Sequence, residues 1–259
     1  MQERKSTDRR TVFVTGASQG IGAAIAIGLA RDGFDVAVSS RGIEKLSDVM
    51  AQITATGARA LPVELDVRSS SSIEQAMASV IAEFGHLDVL INNAAIALRK
   101  SALEITPAEW ENVMGTNLSG TFFMSQQMGR HLIGGGRPGC IISIASTHGV
   151  VALAGRSAYG ISKAAIMHMT KMLAIEWAAH GIRVNAIAPG TVEMTPARAA
   201  LRAASPVDDG YPESMLNRIP LHRFATTGEI AGAACYLASP QAAYITGQTL
   251  LLDGGLTAY

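Results

Sequence analysis

The chain has 259 residues, 48% of them hydrophobic, and its 21 lysines and arginines balance 21 aspartates and glutamates. That length holds one large domain with a full core, or two small ones. A formal net charge of zero argues against a nucleic-acid partner, and six histidines with no HExxH-type pair offer no metal site.

The opening MQERKSTDRR is charged and lacks the apolar core of a signal peptide, so residues 1–10 read as a loose tail. The first apolar helix, IGAAIAIGLA, is too short to span a bilayer. Cys140 and Cys235 lie in apolar stretches without metal-type spacing and read as buried thiols of a reducing compartment. A cytoplasmic protein with no membrane partner is the expectation.

From residue 11 the pattern alternates. TVFVTG (11–16) is a strand, and a helix follows from Ile21 to Asp32. DVAVSS (35–40), ARALPVELDV (58–67) and LDVLINNAA (87–95) are strands two to four, with helices between them. A long helix starts near Pro107 and runs through Asn117 toward Leu132. GCIISIAS (139–146) precedes the helix of Tyr159, and IRVNAIAPG (182–190) and GQTLLLDGG (247–255) close the series. Continuous apolar strands alternating with amphipathic helices predict an α/β, doubly wound, seven-stranded parallel sheet with helices on both faces. No Pro/Ser linker divides residues 11–259, so a single domain is expected.

In such a sheet ligands sit beyond the carboxyl ends of the strands. TGASQGIG after strand one places Gly16, Ser18, Gln19, Gly20, Ile21 and Gly22 in a strand-to-helix turn. Glycines there allow a tight turn and close backbone approach to a pyrophosphate at a helix N-terminus. The spacing is GxxxGxG rather than GxGxxG. After strand two, Ser40 and Arg41 stand where an NAD site carries a carboxylate for the ribose 2′-OH. Serine tolerates a 2′-phosphate and arginine pairs with it, which favours NADP(H) over NAD(H). Asp66 and Val67 after strand three suit an adenine ring, or else Asp66 is a helix N-cap. Asn93, Ala94 and Ala95 offer amides and small residues near the nicotinamide crevice, or form a structural turn. Tyr159 and Lys163, four apart, share one helical face, where an ammonium would loosen a phenolic proton.

TGASQGIG, NNAA, Asn117 in GTNLSG, Ser146 in SIAS, YGISK and NAIAPG, in this order, resemble the short-chain dehydrogenase/reductase family in its compact single-domain branch. The likeness runs from strand one to LDGG and extends to 3-oxoacyl-carrier reductases and sugar or polyol dehydrogenases. It implies that Tyr159 is the catalytic acid/base and that Lys163 is its partner and a ribose ligand. It further implies that Ser146 binds the substrate oxygen and that Asn117 holds a relay water. Pro189, Gly190 and Val192 would cover the nicotinamide. Met194, followed by Thr195, stands where the family has threonine, and NNAA replaces the commoner NNAG. The resemblance also implies a homotetramer built on the helices near 107–132 and 157–180, with LDGGLTAY reaching a second interface.

Residues 191–218, rich in proline, read as a substrate flap. His148 points into the pocket or shapes a turn, and Arg99, Lys100 and Arg156 meet an anionic group or stand in solvent. The implied activity is hydride transfer between NADP(H) and a secondary alcohol or ketone: a 3-oxoacyl thioester, sugar, polyol or small ketone. A non-catalytic dinucleotide sensor on the same fold is the alternative. The intact set of Asn117, Ser146, Tyr159 and Lys163 speaks against it, because a sensor needs no proton relay.

Overall fold

The computed structural model describes residues 9–193 and 211–258. Seven parallel strands form one sheet: β1 Thr11–Val14, β2 Asp35–Ser40, β3 Ala60–Glu64, β4 Val89–Asn92, β5 Gly139–Ile144, β6 Ile182–Pro189 and β7 Thr249–Leu252. Their order is β3-β2-β1-β4-β5-β6-β7. The order reverses between β1 and β4, and a crevice opens there beyond the strand ends.

Alternation within each strand divides the core. Val12, Val14, Val36, Val38, Ile91 and Ile142 face helices α1 (Gly20–Arg31) and α8 (Thr227–Ala238). Phe13, Leu90, Ile141 and Val184 face α3 (Ser70–Phe84), α5 (Gly120–Gly134) and α6 (Ser157–Trp177). Successive side chains point to opposite faces, so a strand buried on both sides is apolar throughout. α2 (Ser47–Thr54), α4 (Pro107–Met114) and α7 (Tyr211–Arg218) complete the described helices.

The strands are shorter than the sequence patterns suggest, because the pattern also covers the residues that leave each strand for the site. The long helix expected from Pro107 is interrupted by a π turn at Gly115–Ser119. Its start is fixed by a capping box: Thr106 Oγ1 accepts from Glu109 N at 3.3 Å, and the Glu109 carboxylate accepts from Thr106 N at 2.8 Å. The tail expectation needs correction at its last two residues. Arg9 donates through Nε to Gly33 O at 3.1 Å, and Arg10 stacks its guanidinium 4.6 Å from the Phe34 ring centre. Cys235 also departs from expectation, being only partly buried where Cys140 is fully so.

Of the expected flap, Val192 pairs with Ala225, and Met215 of α7 packs with Leu256 and with Ile219, just past the helix. The rest, with Met194 and Thr195, lies outside the described residues, as does the tail before Arg9. Among the described residues no helix is long and apolar enough to cross a membrane. No cluster of three or more His, Cys, Asp or Glu among them could hold a metal.

Candidate functional site

The crevice is a cleft of about 630 Å³ running from the β2 end to α6. Its floor is the turn between β1 and α1. Gly16 and Gly20 have φ of +62° and +63°, a conformation that disfavours side chains. A Cβ on Gly16 would lie 2.8 Å from Ala94 Cα, and one on Gly22 would lie 2.4 Å from Asn93 Nδ2. The turn is therefore packed directly against the segment after β4. Asn93 clamps it, donating from Nδ2 to the carbonyls of Thr15 at 3.0 Å and Gly16 at 2.8 Å. Asn93 thus acts here by shaping the turn, and Ala94 and Ala95 line the cleft beside it.

α1 begins without a capping side chain at Gln19 and without an acidic residue in its first turn. Its unpaired amides and dipole face the cleft, an arrangement that suits a pyrophosphate. Ser18, Gln19, Gly20, Ile21 and Gly22 all line this part. The residues present fit a dinucleotide.

At the β2 end, Ser40 Oγ accepts from Gly42 N at 3.1 Å and shapes the bend, while Arg41 is exposed on the cleft wall. Lys45 lines the same wall and was missed in the sequence. Its signal was available: a second cation four residues after Arg41, at the start of a helix. Asp66 and Val67 line the next part of the wall. Asp66 is not the cap of α3, because Ser69 takes that place, accepting from Ser72 N at 3.3 Å. Arg68 and Asn112 close this side, joined by a 2.9 Å hydrogen bond, and neither was foreseen.

At the other end, α6 carries Tyr159 in its first turn and Lys163 one turn later. Lys163 is buried, and its Nζ donates to Ile144 O at 2.6 Å. Its Nζ lies 5.6 Å from the Tyr159 ring centre. Burial lowers its pKa from 10.5 to about 8. Ser146, just beyond β5, is buried, and its Oγ accepts from His148 N at 3.2 Å. The hydroxyl hydrogen therefore stays available for another acceptor.

Asn117 sits inside the π turn with no exposed surface. Its Oδ1 accepts from Ile96 N at 2.8 Å, and its Nδ2 donates to Ile96 O at 3.0 Å and Ser162 Oγ at 3.0 Å. Ser162 in turn donates to Tyr159 O at 2.7 Å. The amide thus ties the segment after β4 to the helix of Tyr159. Pro189, Gly190 and Val192 line the roof. Gly190 N donates to Leu252 O at 2.8 Å, and a Cβ there would meet Asp253 Cα at 2.8 Å.

His148 lies in the cleft wall, its ring edge-on to Tyr159 with centres 6.1 Å apart. Burial, then the charges of Arg156 and Arg218, hold its pKa below the ordinary 6.5. Arg156 lines the cleft as well. Lys100 does not, being held by the Glu109 carboxylate at 2.9 Å. Arg99 packs beside Gly155, with its Cγ 3.8 Å from where a Cβ would stand.

Comparison with known proteins agrees with this geometry. Residues 16–257 match a family model described as enoyl-(acyl carrier protein) reductase. The 2-dehydro-3-deoxy-D-gluconate 5-dehydrogenase of Escherichia coli K12 is 37% identical over 98% of this chain and 97% of its own. A 3-oxoacyl-(acyl-carrier-protein) reductase of Staphylococcus aureus is 38% identical over 95% of this chain and 98% of its own. The solved structure of a point variant of actinorhodin polyketide ketoreductase with NADPH superposes with a TM-score of 0.91 at 34% identity, covering 99% of this chain and 100% of that one. With the sheet order, the glycine turn and the Tyr159–Lys163 pair in place, the chain belongs to the short-chain dehydrogenase/reductase family.

Proposed function

We propose that the protein is an NADP(H)-dependent oxidoreductase that interconverts a secondary alcohol and a ketone. The observation that carries this reading is Lys163, buried on the Ile144 carbonyl one helical turn from Tyr159, at the α6 end of a cleft floored by a glycine turn. Relatives named for sugar acids and for 3-oxoacyl carriers share the alcohol–ketone chemistry, and a ketoreductase of the same fold binds NADPH.

When bound, the nicotinamide supplies hydride to the carbonyl carbon, or accepts it from the carbinol carbon. Ser146 donates its hydroxyl hydrogen to the carbonyl oxygen and polarises it. Tyr159 gives its phenolic proton to the same oxygen as negative charge develops there. The Lys163 ammonium stabilises the phenolate left behind, and the proton is replaced from solvent. Lys163 would also hydrogen-bond the ribose hydroxyls of a bound cofactor. Asn117 fixes the spacing between α4–α5 and α6 and stands beside the relay route. Arg41 and Lys45 line the β2 end of the cleft and would hold a 2′-phosphate by charge-assisted hydrogen bonds.

The functional assembly is a cytoplasmic homotetramer. Exposed Phe122, Phe123, Met172 and Ile175 on α5 and α6 form one apolar contact, and Leu250 and Leu251 on β7 mark the other. Val113, Met128 and Ile166 on the same run of helices lie in the core. Light scattering coupled to gel filtration should give four times the 27.0 kDa chain mass, and a monomer would reject the assembly.

The activity test is NADPH oxidation, followed by absorbance, against a panel of ketones and repeated with NADH. Turnover of several ketones with NADPH is expected. No turnover of any class would favour the sensor reading.

A further inference from the structure

The turn after β5 carries a side chain to which hydride transfer assigns no task. His148 stands two residues after Ser146 and lines the cleft, its ring edge-on to Tyr159 with centres 6.1 Å apart. The imidazole does not build the turn. Ser146 Oγ accepts from the backbone N of His148 at 3.2 Å, Gly149 N donates to Ser146 O at 2.9 Å, and Val150 N donates to Thr147 O at 2.8 Å. None of these bonds uses the ring.

Two glycines seat the turn on α6. A Cβ on Gly160 would lie 2.8 Å from His148 O, and one on Gly149 would lie 2.8 Å from Ala164 N. The backbone thus holds the imidazole at the substrate end of the cleft, beside Tyr159, rather than the reverse.

The ring itself is left half-satisfied. It hydrogen-bonds the Val151 backbone in the sense that favours its protonation, so it donates its N–H there. Burial, then the charges of Arg156 and Arg218, nevertheless hold its pKa below 6.5, so at neutral pH it is an uncharged imidazole. Its other nitrogen can then only accept. Nδ1 is buried with no hydrogen-bond partner among the described residues, a state that costs free energy until a donor arrives. The χ2 torsion of histidine is broad, so a turn of the ring brings such a nitrogen to a ligand in the cleft. A ketone oxygen or a carboxylate has no hydrogen to give it, whereas a hydroxyl has.

Resting on the oxidoreductase reading above, we propose that His148 determines specificity by accepting a hydrogen bond from a substrate hydroxyl on the carbon next to the reacting carbon. The substrate is then a 1,2-diol in its reduced form and an α-hydroxyketone in its oxidised form. Ser146 and Tyr159 bind the reacting oxygen, and the imidazole packs against Tyr159, so the substituent of the neighbouring carbon is the one that meets it. The contact tells the two substituents of the ketone apart and so orients the carbonyl for hydride.

The test uses hydroxyacetone beside butanone, and 1-hydroxybutan-2-one beside pentan-3-one, with NADPH and the full-length protein. Each pair exchanges a hydroxyl for a methyl of similar size. Methoxyacetone is the control: its oxygen withdraws electrons as the hydroxyl does, but it has no hydrogen to donate. The wild type should show a kcat/KM at least ~10-fold higher for each hydroxyketone than for its partner, and for hydroxyacetone than for methoxyacetone. His148→Leu should collapse these ratios, mainly through KM for the hydroxyketone. His148→Gln, whose side-chain oxygen still accepts, should keep part of them, which separates lost recognition from lost folding. Equal values within the pairs, methoxyacetone matching hydroxyacetone, or ratios unchanged in His148→Leu would each overturn the hydroxyl site and leave the oxidoreductase reading standing. Turnover of other ketones but of neither hydroxyketone would do the same. If no ketone is turned over, that reading fails, and saturation-transfer NMR of hydroxyacetone with NADP+ present still decides the site. A signal that exceeds that of butanone and is lost in His148→Leu supports it, and no signal overturns it.

Discussion

At the amino ends of β1 and β4, polar side chains close on one another. Thr11 N donates to Asp88 Oδ2 at 2.8 Å, His86 Nε2 lies 3.2 Å from that oxygen, and Arg137 lies 3.6 Å from Asp88 Oδ1. His131 Nε2 accepts from Leu87 N at 3.2 Å. At the carboxyl ends, Asn117, Ser146 and Lys163 are as deeply buried, but Ser146 and Lys163 line a cleft. Burial of a polar group costs free energy unless a partner compensates. The amino end meets that cost within the protein at Thr11, Asp88 and His131. The carboxyl end also gives its groups partners, Lys163 on Ile144 O and Ser146 with His148 N, but sets Ser146, Tyr159 and Lys163 on the wall of the cleft.

Mutations at the two ends should therefore separate activity from stability. The largest effect is expected for Tyr159→Phe, which removes only the transferable proton: at least ~100-fold loss in kcat, with cofactor affinity and melting temperature kept. Near-wild-type reduction rates would break the assignment. The double variant Ser40→Asp with Arg41→Ala should come next, moving preference from NADPH toward NADH by about tenfold or more, because a carboxylate repels the 2′-phosphate. Binding titrations with both cofactors check it, and tighter NADH binding by the wild type would remove the NADP assignment.

The pH profile sharpens the comparison further. Burial brings Lys163 down to about 8, so its ammonium is lost as pH rises through that value. Reductive kcat/KM should fall on the alkaline side there, and a profile flat to well above it would contradict the pairing of Lys163 with Tyr159.

The smallest effects belong to the closed end. Asp88→Asn should cost about 1–2 kcal/mol of stability by weakening a buried charged hydrogen bond, with kcat unchanged. Burial first, then Arg137 and His86, hold the His131 pKa below 6.5. A folded value below the unfolded one means that the unfolded state binds the proton more readily. The contribution of His131 is therefore complete above 6.5 and is lost as pH falls below it. Melting temperature against pH should show that acid slope, and His131→Gln should flatten it.

Much of this was legible in the sequence because it depends on local pattern. Strands apolar throughout, with Gly16, Gly20 and Gly22 directly after the first, announce the sheet and its nucleotide turn. Tyr159 and Lys163 are neighbours by helical spacing alone. What was not legible depends on distance along the chain. Arg68 and Asn112 meet across 44 residues, a contact that no window of sequence displays. Arg9 and Arg10 look like part of a solvated tail by charge, yet their guanidinium groups reach Gly33 O and the Phe34 ring. The helices from Pro107 and Ser157 carry more apolar residues than one face needs, so the sequence could not assign Met128 to the core and Phe123 to the surface.

The π turn at Gly115–Ser119 also sets angular phase. An α-helix advances about 100° per residue, so one additional residue in a single turn shifts everything before it by that angle relative to everything after. Val113 of α4 and Met124 of α5 are both buried, and Asn117 between them turns inward to Ile96 and Ser162. Deleting one residue from the turn would restore a regular helix of almost the same length and composition. It would also swing α4 about its own axis, carrying Asn112 away from Arg68 at one end of the cleft and uncoupling Asn117 from the helix of Tyr159 at the other. The two ends of a long cleft are held in register by a counting irregularity within one helix.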